Sequence, residues 1–393
     1  MKNPRKIFTA SILFISILAL SATNTVHAIG VIRTITVGGA PQGVTYDSGR
    51  DEIFVTNVAT DSLAAISTIN DALLANVTIG DTPQEVAYDS GTGEIFVANT
   101  HSGTVSAISD STNAVVANVT VGQGPVGVAY DSAKGEIFVT NTFSDTVSVI
   151  SDINDTVVAS VAVGASQFGG VAYDSGTGEI YVTSGNSVDV ITDSNNTMVT
   201  TIPVGYSPSA IAYDSGKGEI FVADYDSNSV SVISDSNNSV VATLPVGFSP
   251  AGIAYDLGRG EIYVANMGSD SVSVISDSSN TVVENVTVGS LPNGVAYDPD
   301  AGEVFVANGN DGTVSVISDA SSTSVSPSPT IPEVGNQAFI LTVTAMMLLT
   351  FAAFALKKIA TGSAFPNKHQ VDAEPKNNAI RESLRSKNEA PAI

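Results

Sequence analysis

A segment of about 42 residues recurs seven times along this chain, and that period limits the folds open to it. Its clearest form is Gly-Val-Ala-Tyr-Asp-Ser-Gly-x-Gly-Glu-Ile-Phe-Val-Ala-Asn. The Tyr-Asp core falls at Tyr46, Tyr88, Tyr130, Tyr173, Tyr213, Tyr255 and Tyr297. In such an array each unit is one supersecondary element, which buries its apolar surface only against its neighbours.

Four strand-like runs fill each unit. Run a is Gly-Val-Ala-Tyr (residues 127–130), run b is Glu-Ile-Phe-Val-Ala-Asn (94–99), run c is Thr-Val-Ser-Val-Ile-Ser (146–151), and run d is rich in Val and Thr (281–288). Val, Ile, Thr and aromatics dominate them, and Gly, Asp, Asn, Ser and Pro bound them. Run b is apolar on both faces, with Ile95 and Val97 on one and Phe96 and Ala98 on the other. A strand of this kind needs cover on both sides, and a radial array of four-stranded blades supplies it. A parallel β-helix is the rival, but its coils are shorter and lack the long d-to-a connection.

The ends of the array bear on closure. Run d follows the first six units but not the seventh. Residues 31–37 (Val-Ile-Arg-Thr-Ile-Thr-Val) supply the missing copy at the other end. The fold class expected is therefore all-β, a seven-bladed β-propeller over residues 29–319, closed by an N-terminal strand that leaves no open edge.

These residues resemble the YVTN-repeat β-propellers. The segment that names the family is similar to Phe54-Val-Thr-Asn57, Phe138-Val-Thr-Asn141 and Tyr263-Val-Ala-Asn266, with Val-Ser-Val-Ile following in run c. The resemblance covers residues 31–319. It implies a propeller like those of archaeal surface-layer proteins and bacterial periplasmic proteins. Ile331-Pro-Glu-Val-Gly335, the apolar stretch after it and Lys357-Lys358 look like the C-terminal anchor cassettes of archaeal surface proteins.

Outside the repeats the chain reads as an export and anchoring frame. Residues 1–28 fit a signal peptide: Lys2, Arg5 and Lys6, an apolar stretch, then Val26-His27-Ala28 before the cleavage point. An uncleaved N-terminal anchor is the alternative. Residues 320–333 form a linker rich in Ser, Thr and Pro. Residues 334–356 are expected to be a transmembrane helix, since 338–356 carry no charge; a buried globular helix is the alternative. Residues 357–393 hold seven bases against four acids, which places a disordered tail on the cytoplasmic side. The expected location is the cell surface, as a single-pass membrane protein with an extracellular N-terminal domain.

Composition then removes chemistry. The chain has no Cys, and the ectodomain has one histidine, His101. Thiol nucleophiles, Ser-His-Asp triads and most zinc or copper sites are thereby excluded. Residues 29–333 carry 35 acids against five bases, a net −30 that repels nucleic acid. No enzyme activity and no cofactor are expected. The one exception to weigh is calcium. Asn57, Asn99, Asn141, Asn266 and Asn308, with Asp224 and Ser184 as variants, close run b. They read as loop caps. The competing reading is a calcium site at the channel mouth of a lactonase- or esterase-like surface hydrolase.

Propeller geometry puts the a–b and c–d turns on one face, toward the membrane, and the d–a and b–c loops on the other, outward. The membrane-side face is acidic by repetition. Asp47 and its six equivalents start the a–b turns, Glu52 and its equivalents close them, and Asp110 and its equivalents start the c–d turns. Turn capping is one reading; calcium or magnesium shared between hairpins is the other. The outward face is selective. Five aromatics are neither repeat positions nor terminal: Phe143, Phe168, Tyr206, Tyr225 and Phe248, all in blades three to six. They are the candidate binding residues for an envelope protein or a glycan, unless they fold back to plug the loops. Asn76, Asn118, Asn154, Asn195, Asn237 and Asn285 are candidate glycosylation sequons. The leading reading is a binding or structural propeller of the cell envelope, with a surface-layer or adhesion role. A spacer without ligand is a third.

Overall fold

The computed structural model describes residues 29–165 and 168–318. The expected signal peptide, linker, membrane span and tail lie outside them. The chain divides into two units, 1–322 and 323–393, and the described residues fall in the first. No helix among them is long and apolar enough to cross a membrane.

The described strands form seven four-stranded antiparallel sheets. Six follow chain order, as in Pro83–Asp89, Glu94–Asn99, Thr104–Ser109 and Ala114–Thr120 of blade two. The seventh joins Pro292–Asp298, Glu303–Asn308 and Thr313–Ser318 to the N-terminal strand Gly30–Thr36. That strand pairs antiparallel with Thr313–Ser318. The expected closure is present, and the antiparallel blades rule out the β-helix.

Burial follows strand position. Run b is buried along both faces, as in Glu52–Asn57, whereas run d alternates, as in Ala114–Thr120. The reason is packing between blades. One apolar cluster joins Phe54, Leu63 and Ala65 of blade one to Val86, Ile95, Val97 and Ile108 of blade two. The cluster at the closure joins Phe305 and Val316 to Ile53, Val55 and Ile35. Ile35 is thus the hydrophobic tooth of the N-terminal strand. Its charged tooth is Arg33, whose guanidinium donates to both oxygens of Glu303 at 2.6 Å and to Asp71 at 2.9 Å.

The aspartates that start the a–b turns are not surface groups. Asp47, Asp89, Asp131, Asp174, Asp214, Asp256 and Asp298 are fully buried. Each accepts a hydrogen bond from the backbone N–H two residues on, at 2.7–2.9 Å. This is the turn-capping reading. It carries an addition the sequence did not suggest. The tyrosine of one blade brings its hydroxyl to the aspartate of the blade before it: Tyr88 to Asp47, Tyr130 to Asp89, Tyr213 to Asp174 and Tyr255 to Asp214. Burial first, and then these aspartates, hold the tyrosine hydroxyls protonated far above the ordinary phenol range. The repeat's signature dipeptide is therefore a device that fixes blade to blade.

The turn-closing glutamates also reach the next blade. Asn238 Nδ2 donates to Glu179 Oε2 at 3.2 Å, and Asn196 faces Glu136. Asp71 occupies this place at the closure, where Arg33 neutralises it. Asp155 occupies it at the interface of blades two and three, facing Glu94 with no base beside them. Burial, and then Asp155, push the Glu94 carboxyl up to about 7. Glu94 Oε2 and Asp155 Oδ1 are buried with no hydrogen-bond partner. Asp155→Asn should install the contact seen elsewhere, and asparagine suits its positive φ of 53°. The raised carboxyl is protonated in acid, so the repulsion acts only as pH rises through 7. Thermal unfolding should show a gain of about 1 kcal/mol at pH 8 and little at pH 4. A loss at pH 8 would contradict the assignment.

Candidate functional site

The two loop families of the outward face are stitched together by backbone hydrogen bonds. Phe143 N donates to Gln123 O at 3.0 Å, Tyr225 N to Ser207 O at 3.1 Å and Met267 N to Ser249 O at 3.0 Å. The opposite face is stitched in the same way, as by Asp152 N to Gly135 O at 3.0 Å. Loops thus sort to faces as the repeat predicts.

Inside the outward loops, the first turns of the inner strands line a cavity of about 420 Å³. Each inner strand opens with a Pro-x-Gly-Val pattern or a variant of it. The pairing register shifts there, as between Pro83 and Val86. A bulge of this kind aims side chains away from the sheet. The third position of the pattern is Gly43, Gly127, Gly170, Gly252 and Gly294, and Ala210 in blade five. A Cβ on any of the five glycines would come within 1.9–2.6 Å of a carbonyl oxygen at the next blade's inner strand. The inner strands touch there, and side chains are excluded.

Blade two breaks the rule with Glu85. This glutamate lines the cavity and is half-buried. It has no hydrogen bond or ion pair with any described residue. Desolvation alone acts on it and pushes its carboxyl up to about 7. The sequence reading missed Glu85 because it counted acids by turn. The available signal was its departure from glycine at an aligned repeat position.

The walls of the cavity differ around the ring. Blades seven, one and two contribute Asn293, Gln42, Gln84, Glu85 and Thr100. Asn293 Nδ2 donates to Gln42 Oε1 across the closure. Blades three to six contribute Val126, Phe143, Phe168, Tyr225, Ala251 and Met267, with Thr142 and Ser209 adding hydroxyls and no amide or acid side chain among the described residues. The Phe168 and Tyr225 rings pack at 4.9 Å between centroids, tilted by 32°. Tyr225 Oη reaches Met267 Sδ at 3.8 Å.

The structure divides the five aromatics. Phe168 and Tyr225 are half-buried and stacked at the cavity, and Phe143 lines its edge while remaining 68 % exposed. Tyr206 and Phe248 are each 66 % exposed on d–a loops and do not reach the cavity. The plug reading therefore describes Phe168 and Tyr225 in part, and does not describe the other three.

The Asn ring turns away from the channel. Asn99 Nδ2 donates to Ser106 Oγ at 2.9 Å, Asn141 to Ser148 at 3.0 Å and Asn266 to Ser273 at 3.0 Å, all buried within their own blades. Asp224 accepts from Ser231 Oγ at 2.7 Å. None of these residues lines the cavity. The amide oxygens of Asn57, Asn99, Asn141, Asn266 and Asn308 are left buried without a hydrogen-bond partner, but they lie within the blades and off the cavity, so a calcium site at the channel mouth is not built from this ring. Among the described residues no group of three or more acids or histidines is placed to hold a metal. His101, on an exposed loop, contacts Thr82 Oγ1 at 2.7 Å. All six sequon asparagines are exposed.

No protein-family model matches the chain, and no curated protein does. Solved structures similar to it include hydrazine synthase of Kuenenia stuttgartiensis, at 18 % identity and a TM-score of 0.64, covering 72 % of this chain and 97 % of that one. A streptogramin B lyase structure is similar at 14 % identity and a TM-score of 0.64, covering 72 % of this chain and 96 % of the other. At such identities the likeness is one of fold, and the two neighbours differ in role.

Proposed function

We propose that this chain is a non-catalytic binding propeller of the cell envelope that engages a partner through its outward channel mouth. The observation that carries the reading is the asymmetry of that mouth. Seven near-identical units would give a seven-fold symmetric opening. Instead, an aromatic and aliphatic arc from blades three to six faces an amide and carboxylate arc from blades seven, one and two. Apolar walls with a few convergent polar groups are what a ligand or partner pocket needs. The resemblance to the YVTN-repeat propellers, the signal-like residues 1–28 and the apolar stretch 338–356 support placement at the cell surface. The envelope partner is a surface protein or a glycan.

The test is retention of a partner by cells. Replacing Phe143, Phe168 and Tyr225 together with Ser should reduce capture of the envelope partner at least tenfold, because buried aromatic anchors dominate interfaces. The exposed pair Tyr206 and Phe248, changed to Ser, should have a smaller effect. Unchanged capture by the triple variant, with its melting preserved, would show that the mouth is not the contact.

A further inference from the structure

Of the acids among the described residues, Glu85 alone lines the central cavity, and it stands where the other blades carry glycine or alanine. Its side chain has no described counter-charge and no described hydrogen-bond donor. A half-buried carboxylate loses part of its hydration, which costs free energy unless something pairs with it. Among the described residues no Lys, Arg or His lines the cavity.

We propose that the outward channel mouth is a receptor for an alkylammonium group, with Glu85 as its counter-charge and the Phe168–Tyr225 pair as its aromatic wall. The inference deepens the binding role proposed above and rests on it only for the identity of the amine's carrier. Three features select this ligand. The lone carboxylate asks for a cation, and the amides of Gln42, Gln84 and Asn293 are neutral. A metal ion would need more hard ligands than one carboxylate. An organic ammonium needs one carboxylate, an aromatic face and apolar surface for its stem, and Phe168, Tyr225 and Met267 provide the last two. The field of the domain adds to the selection. A net −30 over residues 29–333 concentrates cations at its openings and repels anions. The cavity, at about 420 Å³, is larger than one small amine fills, which suits an amine presented on a partner's chain. A lysine side chain has the required stem and head; a free amine has the same chemistry.

The test is calorimetric titration of the full-length chain at pH 8 with n-butylammonium, and with n-butanol and butyrate as neutral and anionic controls. Wild type should bind butylammonium and neither control. Glu85→Gln and Glu85→Gly should weaken binding at least tenfold, with both variants melting at or above wild type. The glycine variant restores the residue other blades carry, so misfolding does not confound it. Tighter binding of Nα-acetyl-lysine methylamide would identify a protein-borne amine, and tighter binding of butylammonium a free one; either supports the site. Equal affinity of wild type and Glu85→Gln, equal binding of n-butanol, or no heat of binding would overturn it. These outcomes are separable from the envelope reading. Glu85-dependent amine binding with no cellular partner would leave the site standing and remove the proposed role.

Discussion

Deleting Gly30–Thr36 should open the ring and abolish a stable monomer. The strand contributes Ile35 to the closure cluster and six register pairs to Thr313–Ser318. Burial of Ile35 and loss of the ladder together amount to roughly 5 kcal/mol or more. The deletion also bares Thr313–Ser318 as an unpaired edge, which invites association between chains. The expected result is a melting temperature lowered by about 10 °C or more, with oligomers in size-exclusion chromatography. A milder form isolates the charged tooth. Arg33→Ala leaves Glu303 and Asp71 facing each other without a base, and should cost about 2–4 kcal/mol. An unchanged melting curve for the deletion would mean that seven blades hold without their clasp.

The second large effect concerns Glu85 and pH. Its carboxyl titrates near 7 in the fold, against an ordinary value of 4.5. The protonated form is thus the one the fold favours. Its contribution is fully present below about pH 4.5 and is lost as pH rises through 7. Tyr225 is the other ionisable side chain among the described residues that line the cavity. Wild type should therefore lose stability from pH 4.5 to 8 that Glu85→Gln keeps, by about 3 kcal/mol at most. The two proteins should match below about pH 4.5, diverge between pH 4.5 and 7, and keep a constant gap above that. Parallel pH profiles would show that the cavity hydrates the carboxylate fully. A bound ammonium should close the gap in wild type alone, since it stabilises only the charged form it pairs with.

The repeat made much of this architecture readable. Tyr46 to Tyr297 gave the blade count, and the missing seventh run d pointed to the N-terminal strand. The pairing of that strand with Thr313–Ser318 follows from the same logic. What stayed hidden joins residues from different units. Tyr88 serves Asp47, not Asp89 beside it, and no reading confined to one repeat reveals that. The division among the aromatics depends on loop position: Phe168 stands where other units carry the inner-strand Pro, two residues beyond the places of Tyr206 and Phe248. Tyr225 directly follows the end of run b and reaches the cavity, whereas Tyr206 sits in the preceding d–a loop and points off it. Glu85 was visible as an acid but not as a channel group, because its setting depends on seven inner strands meeting at a ring of glycines.

The most direct measurement is site-specific photocross-linking on intact cells. A photoreactive side chain would replace Phe143 at the outward mouth in one variant, and the exposed Ser111 on the opposite face in another. The account expects a discrete envelope adduct from position 143 and none from position 111. An adduct from position 111 alone would show that the partner docks on the acidic turns, and would contradict the channel mouth as the working face.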